Sequence, residues 1–140
     1  MRAGAAAAGR VGAGLRGFTF DTGALIAYER GSGVVNALIR QAGETSGAVV
    51  HIPAGVVAQA FRDGRRQARL MRLFKLPQAQ IVALDPPMAF VVGLLLGRRA
   101  GDDVVDASVV VCARRYGQGV LTSDPDDLRR LDPDLPLEIV

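Results

Sequence analysis

A chain of 140 residues, 49% of them hydrophobic, is long enough to bury the core of one globular domain and too short for several. Its longest apolar runs fall short of the length that a bilayer-spanning helix requires. The net charge of +3 is carried on the basic side almost entirely by arginine, which is a weak indication of nucleic-acid binding. The single cysteine, Cys112, excludes an internal disulfide and favours a reducing compartment, the cytoplasm, and its valine neighbours predict that it packs in the core.

The first 17 residues are rich in alanine and glycine. We expect residues 1–17 to form a flexible extension outside the fold and residues 18–140 to form the domain. Short apolar runs predict strands at residues 18–20, 48–52, 81–84, 120–122 and 137–140. Helical periodicity and proline or glycine punctuation predict helices at residues 24–30, 34–42, 53–62, 65–76, 86–97, 104–116 and 125–131. This alternation predicts a three-layer α/β/α fold, in which helices cover both faces of a mostly parallel central sheet.

Four aspartates stand where polar side chains would meet at one edge of such a sheet. Asp21 follows the first strand, and Asp124 follows the fourth. Asp106 lies one turn into an otherwise apolar helix, and Asp103, three residues earlier, projects from the same helix face. Carboxylates at the ends of parallel strands and at a helix start can converge on one crevice, where a divalent cation relieves their mutual repulsion. The pattern therefore predicts a metal site.

Two of the acids also have a structural interpretation. Asp103 could cap the helix that begins at Val104, and Asp124 could form a turn or a helix cap because it lies in a Ser-Asp-Pro-Asp sequence. Asp106 is harder to explain in this way because it interrupts an apolar helix. Asp21, at the end of a strand, is equally hard to explain. The combination of all four favours the metal site.

Four motifs of the chain, in order, resemble those of PIN domains. The first is matched by residues 21–26 (DTGALI), and the second by residues 52–62, where Ile-Pro leads into a helix that ends in Phe-Arg. The third is matched by residues 105–110 (VDASVV) and the fourth by residues 121–127 (LTSDPDD). The order and spacing are similar to those of VapC-type toxins of bacterial toxin–antitoxin pairs, and the resemblance covers about residues 18–131.

The resemblance implies a parallel-sheet α/β fold and an endoribonuclease that depends on Mg²⁺ or Mn²⁺. It also implies a small VapB-type antitoxin as a tight partner, RNA as the substrate and, frequently, a homodimer. By position, Asp21, Asp106 and Asp124 match the family's metal-site acids, and Asp103 matches a further acid of some members, so all four are predicted catalytic residues. A cation held there would polarise the scissile phosphate and activate a water, which Asp103 or Asp124 could orient or deprotonate.

One position departs from the family pattern. The second motif usually holds a glutamate where this chain has Gln59, whose amide oxygen can hold a water but brings no negative charge. Gln59 is therefore predicted in a supporting role, together with the hydroxyls of Thr22 and Ser123, which flank the acids. The departure leaves an alternative open: a PIN-like RNA- or protein-binding module with weakened or lost catalysis.

The arginines have two interpretations. Four of them lie together on the helix predicted at residues 65–76: Arg65, Arg66, Arg69 and Arg72. They could bind an RNA backbone or form a solvated helix face. Arg62 lies nearer the predicted crevice and is the predicted contact for an RNA phosphate. The apolar helices at residues 34–42 and 53–61 are the predicted surfaces for a homodimer.

Overall fold

The computed structural model describes residues 17–140. The predicted extension therefore lies outside the described residues, except for Gly17, which begins the first strand. The strands are β1 (Gly17–Phe20), β2 (Val49–Pro53), β3 (Ala79–Val82), β4 (Gly119–Thr122) and β5 (Leu137–Ile139). The helices are α1 (Thr22–Glu29), α2 (Gly33–Glu44), α3 (Ala54–Ala60), α4 (Ala68–Phe74), α5 (Pro86–Arg99), α6 (Val104–Tyr116) and α7 (Pro125–Leu131).

The five strands form one sheet in the order β3-β2-β1-β4-β5, and every neighbouring pair is parallel. β1 is the central strand, where Thr19 lies opposite His51 of β2 and Val120 of β4. Every residue of β1 and β4 is buried, which requires cover on both faces of the sheet. The predicted α/β fold with a parallel central sheet is confirmed.

The two faces of β1 differ in chemistry. Phe18 and Phe20 share one face, and their stacked rings lie 5.8 Å apart in the apolar core. On the other face, Oγ1 of Thr19 donates a hydrogen bond of 2.9 Å to Oε1 of Gln118. The Cys112 thiol lies 3.8 Å from the same hydroxyl, and burial raises its pKa to about 11. The predicted core position of Cys112 is confirmed.

Helix α4 begins three residues later than predicted because a glutamine side chain holds a loop before it. Oε1 of Gln67 accepts hydrogen bonds from the backbone N–H groups of Arg62 (2.6 Å) and Asp63 (2.9 Å). Its Nε2 donates to the carbonyl of Ala60 at 2.8 Å. These bonds close a loop, so Arg65 and Arg66 lie outside the helix. All four arginines of this region are exposed, as a solvated face requires.

Strand β3 and the start of α3 also differ from the prediction. Strand β3 covers residues 79–82 and not 81–84, because its ladder with β2 pairs Val50 with Ala79. The backbone N–H of Val50 also donates to the carbonyl of Gln78 at 2.7 Å, which fixes that register. Pro53 ends β2 and caps α3 instead of lying inside the helix. A proline is accepted there because the cap position needs no backbone donor.

Helix α5 presents an apolar face to solvent. Phe90 is 75% exposed and Leu94 is 65% exposed, and the glycines Gly93 and Gly97 lie beside them along a shallow groove. By contrast, the apolar residues of α2 are mostly directed into the core. None of the helices in residues 17–140 has the length and hydropathy needed to cross a membrane.

Candidate active site

Asp21 lies where the central strand passes into α1. Its backbone N–H donates to the carbonyl of Leu121 (3.2 Å), and its Oδ1 caps α1 by accepting from the N–H of Ala24 (2.8 Å). The residue is 6% exposed. Burial raises the pKa of its carboxyl, hydrogen bonds from Thr122 and Ala24 lower it, and the charge of Asp124 raises it. Burying one carboxylate beside another costs free energy unless a positive charge lies close to both.

Asp124 follows the neighbouring strand, β4. It occupies the cap position of α7, but its side chain makes no capping hydrogen bond. Its backbone N–H donates instead to Oγ1 of Thr122, at 2.9 Å. The carboxyl is exposed, and a hydrogen bond with Asp127, followed by the charge of that residue, raises its pKa. The predicted capping role therefore does not occupy this carboxylate.

Asp106 is placed by the start of α6. Its backbone N–H donates to Oδ1 of Asp103 at 2.9 Å, so Asp103 caps the helix as one of its two interpretations predicts. Burial and neighbouring carboxylates together raise the pKa of the Asp106 carboxyl to about 6, and burial is the largest cause. The neighbouring carboxylates are those of Asp103, Asp127, Asp21 and Asp124. The other three predicted acids therefore lie close enough to act electrostatically on Asp106.

The turns after β1 and β4 are in close contact. A Cβ atom on Gly23 would lie 1.9 Å from Oγ of Ser123 and 3.1 Å from its Cβ, so a side chain at position 23 would displace the second turn. The absence of a side chain at Gly23 lets the segments that carry Asp21 and Asp124 approach one another. Ser123 thus lies beside the acids, as predicted, while its predicted supporting role stays a prediction.

Thr22 and Gln59 lie together at the rim of the site. Oγ1 of Thr22 donates to Oε1 of Gln59 at 2.5 Å, which connects the first turn of α1 to α3. Arg62 is turned away from the acids: its Nη1 donates to the carbonyls of Ala58 (2.8 Å) and Phe61 (2.7 Å) at the end of α3. Its predicted contact with an RNA phosphate stays a prediction, and would require these two bonds to be exchanged.

Three residues near the acids were not predicted. Thr122 is fully buried, and its hydroxyl joins Asp21 to the backbone of Asp124. Asp127 adds a further carboxylate, and its Oδ1 accepts a hydrogen bond from Nη2 of Arg130. Thr122 could have been found from its place at the end of β4. Asp127 ends the motif at residues 121–127, but with Arg130 it resembles an ordinary solvated i, i+3 pair, so the spacing alone does not mark either residue as part of the site.

A divalent cation requires several oxygen donors around one point. Among residues 17–140, no group of three or more His, Cys, Asp or Glu side chains is arranged to hold a metal ion. Mg²⁺, however, keeps several waters and is commonly bound by one or two carboxylates. The mutually repelling acids fit a hydrated Mg²⁺ or Mn²⁺ held by a pair of them. Three direct ligands, Asp21, Asp106 and Asp124, stay a prediction.

Comparison with known proteins gives structural matches only. No family model and no curated protein sequence matches the chain. A chain in the crystal structure of VapBC2 from Rickettsia felis, bound to a DNA fragment from their promoter, matches with a TM-score of 0.63 and 16% identity over 88% of this chain and 98% of that one. A chain of a toxin–antitoxin complex from Klebsiella pneumoniae matches with a TM-score of 0.60 and 17% identity, over 88% of this chain and 95% of that one.

A third match is a chain of FitAB bound to an IR36 DNA fragment, with a TM-score of 0.56 and 13% identity over 88% of this chain and 93% of that one. Identities this low establish a common fold and nothing finer. The sheet order, the parallel ladders and the near-complete coverage agree with the fold that the sequence motifs predict. The chain therefore has a PIN-like fold, shared with chains of these three complexes.

Proposed function

We propose that this protein is a metal-dependent endoribonuclease that hydrolyses RNA phosphodiester bonds, and that it is the cytoplasmic toxin of a VapBC-type toxin–antitoxin pair. The observation that carries the proposal is the crowding of carboxylates around Asp106, whose pKa burial and four acidic neighbours raise to about 6. Perturbed carboxyls concentrated at the carboxyl edge of a parallel sheet are typical of catalytic sites. The shared fold with chains of toxin–antitoxin complexes supports the toxin role.

In this proposal Asp21 and Asp106 share one task and Asp124 has another. Asp21 and Asp106, the less exposed pair, would hold Mg²⁺ or Mn²⁺, which when bound supplies positive charge to the phosphate and activates a water. Asp124 is exposed and makes no capping bond, and its carboxylate, which hydrogen-bonds with Asp127, would orient that water and accept its proton. The Thr122 hydroxyl holds the Asp21 carboxyl in place relative to the Asp124 backbone. The hydrogen bond between Thr22 and Gln59 holds α1 against α3 at the rim of the site.

The proposed protein partners are a VapB-type antitoxin and a second copy of the chain. The sequence predicts helices 34–42 and 53–61 as the dimer surfaces, but Val35, Leu38 and Ile39 of α2 are buried in the core. The apolar face of α5, with Phe90 and Leu94, is the better candidate, because large exposed apolar residues grouped on one helix mark an interaction surface.

The proposal is tested by incubating purified protein with RNA and Mg²⁺. Cleavage by the wild type should disappear in EDTA and in the Asp21→Ala and Asp106→Ala variants. Glu44→Ala is the matched control, because this exposed acid ends α2 at the opposite edge of the sheet, before β2 begins. Equal cleavage by the wild type and both aspartate variants would identify a contaminating nuclease and contradict the proposal.

The alternative function is a PIN-like binding module with weakened or lost catalysis. It is favoured by Gln59, which stands where the family has an acid, and by the lack of a three-ligand group among the described residues. The two functions differ in the response to Gln59→Glu. If the protein is an enzyme that lacks one carboxylate, this variant should bind Mn²⁺ more tightly and cleave RNA faster than the wild type. If the protein is a binding module, both the wild type and the variant should bind RNA without cleaving it.

A further inference from the structure

A groove of about 370 Å³ opens beside the acids, between the end of α5, the start of α6 and α7. The acidic part of its lining consists of Asp102, Asp103, Asp106 and Asp127. Its basic part consists of Arg99 and Arg130. Since Asp103 and Asp106 belong to the proposed active site, this groove is continuous with the place where the phosphodiester would be cut.

Helix α7 carries two ion pairs of the same spacing. Asp126 and Arg129 lie 3.8 Å apart, and Asp127 and Arg130 make a closer, hydrogen-bonded contact. Only the second pair lines the groove. Both pairs are largely exposed, so neither contributes much to stability. The difference between the two pairs is therefore one of position, because Arg130 lines the acidic groove and Arg129 does not.

A phosphate that enters an acidic groove is repelled unless cations receive it. A guanidinium has five N–H donors, and Arg130 uses Nη2 for its bond with Asp127, which leaves donors for a second acceptor. The bond with Asp127 also restricts the side chain, so less conformational entropy is lost when a phosphate binds. These properties suit a phosphate contact held in place before the substrate arrives.

We propose that Arg130, positioned by Asp127, binds a backbone phosphate of the RNA next to the scissile one, and that the strand runs through the groove between α5 and α7. This inference rests on the proposed function for its substrate and adds the path that the substrate takes. Arg130 would be a binding residue, and Asp127 a positioning residue that acts through it.

The test measures RNA affinity separately from cleavage. A fluorescein-labelled single-stranded oligouridylate is titrated with protein in Mg²⁺ at a series of KCl concentrations, and all proteins carry Asp106→Asn so that binding can be followed without cleavage. Each phosphate contact on a single strand adds about 0.7 to the slope of log affinity against log salt. Arg130→Ala should weaken binding and lower that slope by about 0.7, while Arg129→Ala, the matched control, should change neither.

Two further variants examine the pair itself. Arg130→Lys should recover most of the salt slope, because it restores the charge, and less of the affinity, because lysine lacks the planar fork. Asp127→Asn, which releases Arg130 without removing it, should leave the slope near that of the Asp106→Asn parent. Equal losses in Arg130→Ala and Arg129→Ala, or no loss in either, would overturn the inference.

The result also separates this inference from the proposed function. If the wild type does not cleave RNA but Arg130→Ala alone lowers the salt slope, the nuclease proposal fails and the phosphate contact stands. If the wild type cleaves RNA and Arg130→Ala binds and cleaves as the wild type does, the contact is refuted and the nuclease stands. No RNA binding by any of the proteins would refute the contact.

Discussion

Oδ1 of Asp103 accepts a hydrogen bond of 2.9 Å from the backbone N–H of Asp106. One acid of the candidate site thus holds the first turn of the helix that presents another, while its charge raises the pKa of the Asp106 carboxyl. The two interpretations of Asp103, a helix cap and a member of the site, are therefore compatible in a single geometry.

Two substitutions separate these roles. Asp103→Asn keeps a capping oxygen and removes the charge, so its free energy of unfolding should stay near that of the wild type. Asp103→Ala removes both and should lose about 1 kcal/mol of stability in urea denaturation. If Asp103 acts in cleavage, both variants should lose RNA hydrolysis under conditions in which both are folded. Full activity of Asp103→Asn would leave capping as its only role.

The raised pKa of Asp106 predicts a dependence of stability on pH. Between its ordinary value near 3.8 and about 6, the folded protein holds a proton that the unfolded chain releases. Without metal, this carboxyl therefore lowers the free energy of unfolding as pH rises through that window, and the loss persists above it. Asp106→Asn should be more stable than the wild type by about 1–2 kcal/mol at neutral pH in EDTA, with the difference shrinking toward about pH 4.

Urea denaturation of both proteins at several pH values measures this difference, and adding Mg²⁺ provides the control. The cation should stabilise the wild type by binding the folded state and should stabilise the variant less. A difference that is constant across pH would contradict the raised pKa of Asp106, and one that Mg²⁺ does not change would contradict a cation site at this residue.

Thr122 predicts an effect on metal binding. Thr122→Val keeps the branched shape within β4 and removes the hydroxyl that lowers the pKa of Asp21 and accepts from the Asp124 N–H. Mn²⁺ affinity should fall about tenfold, as expected for loss of a group that orients a ligand. Calorimetric titration measures it, with Thr122→Ser as the control that keeps the hydroxyl. Wild-type affinity in Thr122→Val would exclude this role.

The hydrogen bonds of Gln118, which lie away from the acids, predict a contribution to the stability of the fold. Its Oε1 accepts from Thr19 at 2.9 Å and lies 3.0 Å from Nδ1 of His51, and its Nε2 donates to the carbonyl of Val49 at 3.0 Å. Gln118→Ala would remove these contacts with Thr19, His51 and Val49, the first two of which are buried, and should cost about 2–4 kcal/mol in urea denaturation. Thr19→Val, which removes the bond to Gln118 and the weak contact with the Cys112 thiol, should cost about 1 kcal/mol. Equal costs would contradict the network.

The α5 surface predicts a change in assembly. The double substitution Phe90→Ser and Leu94→Ser removes two exposed apolar side chains and should convert a dimer to a monomer in sedimentation. Val34→Ser, on α2, is the control, because Val34 is also exposed, at 56%, but stands alone on its helix. A dimer that survives the double substitution would exclude α5 as its interface.

The order of elements could be predicted from the sequence because each strand and helix has its own local pattern. The places of Asp21 and Asp124 after strands, and of Asp106 in the first turn of a helix, could be predicted as well, while their catalytic role stays a prediction. What sequence patterns do not carry is contact between distant residues. The pairing of Val50 with Ala79, which shifts β3, is of this kind. The bonds of Gln67 that delay α4 are local, but they depend on which backbone groups the folded loop presents to one side chain.

The same limit applies to the candidate site. Arg62 lies close to Gln59 in sequence, but its guanidinium turns back to the carbonyls that end α3. Arg130 has the sequence appearance of a solvated residue, but it lines the acidic groove. Which way a long side chain turns depends on acceptors supplied by the folded backbone, and neither spacing nor composition specifies them.

The pairing of β1 with β4 has a consequence during translation. β1 is among the first segments of the domain to leave the ribosome, but its partner on one side begins only at Gly119. Until then the central strand has an unsatisfied edge, and Asp21 lacks Thr122 and Asp124. If the chain has the proposed nuclease activity, that activity should arise only after β4 has been made, and a chain that ends before β4 should lack it.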